Sequence, residues 1–222
     1  MLTGLARTDE LLRASGPFAP ASFDERRGWW LPAMVVVFAP IYGAMMGSCH
    51  FDSPERIWQV VYSAVKMPIL LFGTSLLCLP AFFVLNTILG LREDFRDSLQ
   101  AILAGQAGLS ITLASLSLLT RFWYFSTSSH RAAVLFNMVM FTLAAIAGQI
   151  VMFRYYRVLI RRHRYHRMML FAWLVLYAFV GIQMGWTLRP FVGAPGAPTT
   201  FFRAEPFSNA YVVVARLIFR TS

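Results

Sequence analysis

Very little in this chain of 222 residues is charged: acidic and basic side chains together make 14%, and only ten residues are acidic. None of those ten lies inside a long apolar run, so a carboxylate proton relay or a carboxylate-lined sodium site is not expected. Of the twenty basic residues only Lys66 is a lysine. The two cysteines, Cys49 and Cys78, are too few and too isolated for a disulfide framework or a zinc site. Metal-protease, nucleophile-elbow, phosphate-loop and dinucleotide motifs are all missing, and the four histidines stand between the apolar runs. The sequence therefore predicts no catalytic residue, no metal and no cofactor, and an enzyme is not expected.

What is present is apolar. Hydrophobic residues make 58% of the chain, twenty of them Phe, and the mean hydropathy is +0.58. A soluble domain of this length has too little interior for so much apolar surface, so lipid must act as solvent for much of it. Five runs reach the ~20 helical residues that cross a bilayer: 29–48, 67–90, 98–120, 132–153 and 168–188. The expected fold is all-α, a polytopic bundle of about five spanning helices with short interfacial helices. Residues 1–28 form an amphipathic N-terminal segment, 29–188 the spanning domain, and 189–222 a loop rich in Pro, Gly and Phe ending in a short interfacial helix near 209–219. The segment 52–55, Asp-Ser-Pro-Glu, reads as a helix start. Ile57, Val60, Val61, Ala64 and Val65 then predict an amphipathic helix on the outer surface that feeds into the second span at Pro68. Pro68 and Pro80 interrupt the backbone donors of that span and predict kinks.

Charge sets the orientation. Residues 154–167, RYYRVLIRRHRYHR, hold six arginines and two histidines between two apolar runs. A short loop of that kind resists export across an energised membrane and predicts the cytoplasmic side. The N-terminus is then cytoplasmic and the C-terminus periplasmic, in a bacterial inner membrane, with twelve of the twenty basic residues inside. The net charge of +10 belongs to residues flanking apolar spans, which predicts anionic phospholipid and not nucleic acid as the partner. Trp29, Trp30, Trp123, Tyr124, Tyr155, Tyr156 and Trp186 are expected at the membrane interfaces.

Two patterns point to packing and one to binding. Ala101, Gly105, Gly108, Thr112 and Ser115 line one helical face, and Gly181 and Gly185 form a G-x-x-x-G pair; both predict close helix approach. At the exported level the topology gathers Tyr42, Ser48, Gln59, Tyr62, Lys66, Asn137, Gln183, Trp186 and Arg189. Within this group, Lys66 and Arg189 with Trp186, Gln183 and Tyr62 make a candidate site for an anion or a lipid headgroup. The alternative is plain interface anchoring, with long cationic side chains reaching for water.

The blocks YGAMMGS at 42–48, QVVYSAVKMPILL at 59–71, PAFFVLNTILG at 80–90 and GIQMGWTLRPFVGAP at 181–195, followed by FFR at 201–203 and Asn209, resemble a family of multi-pass bacterial inner-membrane proteins of uncharacterised function. The W-x-L-R-P-F-x-G block is its most specific part, and the resemblance spans about residues 40–215. Five spans in this orientation are also similar to Yip1-type membrane proteins, trafficking adaptors that bind partners and perform no chemistry. Both resemblances imply a non-enzymatic membrane protein: a subunit, scaffold or stabiliser of a larger complex, bound to other membrane subunits or to itself. The alternative is a small oligomeric channel or transporter with the anion site at its outer mouth, its pore lined by Ser, Thr and Gln of the third span.

Overall fold

A computed structural model describes residues 6, 9, 11–13, 29–49, 56–127, 129–193, 196 and 199–202 of the chain. Among them every long element is helical: α1 (Trp30–Gly47), α2 (Ile57–Ile88), α3 (Phe95–Ser126), α4 (His130–Arg162) and α5 (Tyr165–Thr187), with a 3-10 turn at Arg92–Asp94 before α3. All five helices are long and apolar enough to cross a membrane. The chain is a multi-pass helical bundle. The proposed helix start at 52–55, the run 209–219 and most of the N-terminal segment lie outside the described residues.

The helix ends follow local chemistry. Gly90, at φ +71°, takes the left-handed conformation that a side chain disfavours and stops α2. Its N–H bonds the carbonyl of Thr87 and that of Leu91 bonds Asn86, which satisfies the last free carbonyls. Ser129 caps α4 by accepting from the N–H of Ala132.

Two expectations change. The stretch 57–65 does not lie on the surface as a lead-in to the second span: α2 runs unbroken from Ile57 through Pro68 and Pro80 to Ile88, with Gln59 and Ser63 already buried. Each proline removes one backbone donor, and the remaining ladder with tertiary packing carries the helix across. The arginine-rich segment is likewise mostly helix, because α4 continues to Arg162 and α5 begins at Tyr165, so the loop proper is His163 and Arg164. Charged side chains project from those turns to water while the backbone keeps its bonds. Tyr155 and Tyr156 are buried inside the bundle. They occupy the α4 face that meets α3, where Ser98 donates to the Tyr156 hydroxyl at 3.3 Å.

The helices form an incomplete ring: α5 packs on α2, α2 on α1, α1 on α3 and α3 on α4. The ring would close between α4 and α5, but these two touch sparingly. Accordingly α3 is the most buried helix and α5 the most exposed. The small-residue face of α3 meets α4 as the spacing predicts. A methyl group on Gly105 would lie 2.8 Å from Met152 Cβ, and one on Gly108 would lie 2.9 Å from Val151 Cγ2. Gly148 of α4 completes the contact, with Gly105 O 2.7 Å from the place its Cβ would take. The Gly181 and Gly185 pair faces α2 but with room to spare, the nearest atoms being Thr74 Cγ2 at 3.6 Å and Leu70 Cδ1 at 4.0 Å. The tight G-x-x-x-G is Gly43 and Gly47 of α1, where a methyl on Gly47 would meet the Gln59 carbonyl oxygen at 2.6 Å. That approach presses α1 against the first turns of α2 and fixes the end of the bundle where α5 also finishes.

Candidate functional site

The first three turns of α2 present Gln59, Ser63 and Lys66 on one face, at a four-three spacing, and all three are buried. Across from them, α5 ends at Thr187, and Pro190, with no N–H to give, turns the chain away. The Arg189–Pro190 peptide bond is cis. The carbonyls of Pro190 and Phe191 then point at the α2 face. Lys66 Nζ donates to Pro190 O at 2.8 Å, and Ser63 Oγ donates to Phe191 O at 2.6 Å. Gln59 Nε2 reaches both carbonyls, at 3.4 and 3.3 Å, and Ser63 Oγ at 3.3 Å. Loop carbonyls with no helix partner are thus satisfied by three side chains of another helix, which a buried backbone requires.

The ammonium group is enclosed as well as bonded. Its nitrogen lies 4.9 Å from the centre of the Phe201 ring and 5.9 Å from that of Phe191. Ring faces carry negative potential, so they lower the cost of keeping a cation out of water. Tyr62 packs edge-on against Phe201, ring centres 5.4 Å apart, and Trp58 lies 6.0 Å beyond Tyr62. Phe202 stands on the other side of Phe201 at 4.9 Å. The result is a row of four aromatic rings, Trp58 and Tyr62 from α2 and Phe201 and Phe202 from the chain beyond α5, with the Lys66 ammonium against Phe201. The two ends of the row are open, Trp58 at 57% exposure and Phe202 at 46%.

Of the five residues expected to form an anion site, the fold therefore joins Lys66 and Tyr62 to the same loop. Trp186 and Arg189 form their own pair, the guanidinium carbon 3.4 Å from the indole centre. Gln183 lies one turn earlier on α5. The two cations bracket one turn, since Lys66 holds the carbonyl of the residue that follows Arg189. Lys66 itself is fully buried, so its charge serves the loop, and an approaching anion would meet the Arg189 side of this turn. Phe191 and Phe201 pack back onto the helices, as the aromatic load of the loop suggests.

Tyr42 and Asn137 belong to a different network. The Tyr42 hydroxyl donates to Asn137 Oδ1 at 2.9 Å, and Asn137 Nδ2 donates to the Tyr124 hydroxyl at 2.6 Å, linking α1, α4 and α3. Cys49 is buried with Ala133 and Val192, a packing role that joins α1 and α4 to the W-x-L-R-P-F-x-G block. Among the described residues no group of three metal-ligating side chains comes together.

A second polar cluster, at the opposite end, is absent from the sequence expectations. His166 was placed in a loop by its neighbours, but it lies in the first turn of α5 and is fully buried. Its Nε2 is 3.0 Å from Asp94 Oδ2, and its ring meets Tyr156 edge-on at 5.8 Å. Arg162 bridges Asp94 and Asp97 at 3.0 and 2.9 Å. These contacts fasten the 3-10 turn and the start of α3 to the α4–α5 corner. The only sequence signal was the pairing of an acidic turn, Glu-Asp at 93–94, with a basic one at the same membrane side. No protein-family model, curated protein or solved structure matches this chain.

Proposed function

We propose that this chain is a non-enzymatic protein of the bacterial inner membrane that serves as a subunit or stabiliser of a larger membrane complex. In this reading its N-terminus and arginine-rich corner face the cytoplasm, and the loop after α5 faces the periplasm. The observation that carries the reading is the row formed by Trp58 and Tyr62 of α2 with Phe201 and Phe202 of the chain beyond α5, beside the turn at Pro190 and Phe191 that three buried donors of α2 hold. Aromatic side chains on a rigid support are what protein–protein interfaces use as anchors, because they bury much area at little entropic cost. Lipid or other membrane subunits would cover the apolar faces of α4 and α5.

The channel alternative draws less support. The hydroxyls of Ser110, Thr112, Ser115 and Thr120 donate to carbonyls of their own helix four residues back, so their protons are used within α3 and not offered to a pore. Gln106 donates to Ser75 and thereby bridges α3 to α2 inside the ring.

Purification from native membranes in mild detergent, followed by native mass spectrometry, tests the proposal. A second polypeptide at fixed stoichiometry is expected, and Trp58→Ala with Phe202→Ala should release it without changing the melting temperature of the bundle. A symmetric assembly of this chain alone would instead favour the channel reading.

A further inference from the structure

The outward stripes of α4 and α5 end in arginines. On α4, Leu143, Ile146, Ile150 and Phe153 are exposed and recur at helical spacing, and Arg157 and Arg161 continue the same face. On α5, Arg164 precedes a stripe formed by Met168, Phe171, Val175, Phe179 and Ile182. From Phe153 back to Leu143 the helix rises about 15 Å at 1.5 Å per residue. That is about half of the ~30 Å hydrocarbon core, the depth of a single leaflet. The two helices that carry these stripes touch sparingly, so the helix ring is incompletely closed between them.

The cations at the head of the seam are placed for a headgroup. The Arg157 guanidinium carbon lies 5.5 Å from the Phe153 ring centre, at the point where the apolar stripe stops, and Arg164 lies 5.2 Å from the Tyr165 ring. The nearby acids Asp94 and Asp97 are taken by Arg162 and His166, on the side of the corner that faces α3. Among the described residues no acidic side chain forms an ion pair with Arg157, Arg161 or Arg164. Guanidinium groups bind phosphate oxygens in a planar, two-pronged fashion, and each adds roughly 1 kcal/mol of attraction to an anionic surface.

We propose that the seam between α4 and α5 is a site for an anionic phospholipid, with its acyl chains along the two stripes and its phosphate between Arg157, Arg161 and Arg164. The site lies at the end opposite the aromatic row and does not depend on any partner docking there.

The test is native mass spectrometry of the full chain in detergent with an equimolar mixture of phosphatidylglycerol and phosphatidylcholine. Wild type should retain phosphatidylglycerol in preference, by roughly 150-fold, the equivalent of ~3 kcal/mol for three cations near the phosphate. Arg157→Gln with Arg161→Gln should cut that preference to roughly fivefold, the ~1 kcal/mol of the remaining Arg164, while leaving the melting temperature in phosphatidylcholine nanodiscs unchanged. Arg121→Gln with Arg131→Gln removes equal charge at the other end and should retain the preference. A fall of that size in both double variants, or in neither, overturns the site. Displacement of phosphatidylglycerol by excess inorganic phosphate would also overturn it, because a free anion would then suffice.

Discussion

Lys66 illustrates how one residue can join two distant segments in a solvent without water. Its only conventional hydrogen bond among the described residues is to Pro190 O, at 2.8 Å, and two aromatic faces complete its surroundings. Replacement by Met keeps the stem and removes the charged donor, leaving the Pro190 carbonyl with only the longer bond from Gln59 at 3.4 Å. Hydrogen bonds to charged groups contribute about 1.5–3 kcal/mol, and Lys66→Met should lower stability by an amount in that range. Thermal unfolding in detergent, with limited proteolysis of the loop after α5, measures it. Wild-type stability and protection would mean that the loop is held by packing alone. Arg189 provides the comparison: its guanidinium carbon lies 3.4 Å from the centre of the Trp186 ring, a contact a lysine reproduces poorly.

At the scale of an element, two G-x-x-x-G pairs of identical pattern behave differently. Gly43 and Gly47 sit where α1 touches the backbone of α2, while Gly181 and Gly185 have van der Waals room toward α2. Gly47→Ala should therefore cost about 1–3 kcal/mol by overpacking against Gln59 and Val60. Gly185→Ala should be neutral or stabilising by up to about 1 kcal/mol, because alanine loses less backbone freedom in a helix. Detergent melting curves of the two variants decide the matter; equal effects would show that the α1–α2 approach is looser than described. This pair also marks what the sequence conveyed. Small-residue spacing says that a helix can be approached closely, and hydropathy placed all five helices. Neither says which face a partner occupies, because the partner is chosen by the whole arrangement. Gln59, Ser63 and Lys66 share a face legible from their spacing, yet their acceptors are backbone carbonyls some 130 residues away, which no side-chain pattern records. His166 was obscured for a similar reason: five arginines around it read as loop, although charged turns of helix carry the same composition.

For the whole molecule, the ring of helices places charge and aromatic surface at opposite ends. One end carries the α4–α5 corner, the 3-10 turn and the N-terminal segment, where Arg154 donates to the Leu12 carbonyl and Leu11 is buried. The other carries Lys66, the W-x-L-R-P-F-x-G block and the aromatic row. With five spanning helices, the start of α1 and the end of α5 lie at opposite ends of the bundle, so one measurement would orient it. The arginines at the corner outnumber the nearby acids, and two of those acids are already paired. That excess of positive charge opposes export, so the corner should remain cytoplasmic. A reporter active only in the periplasm should work when fused after Ser222 and fail when inserted after His163. Replacing Arg157, Arg161 and Arg164 by Gln should weaken the bias without inverting it, because Arg92, Arg96 and Arg154 stay on that side. Activity at His163 and none at Ser222 would reverse the orientation, and the aromatic row would then face cytoplasmic partners with its geometry unchanged.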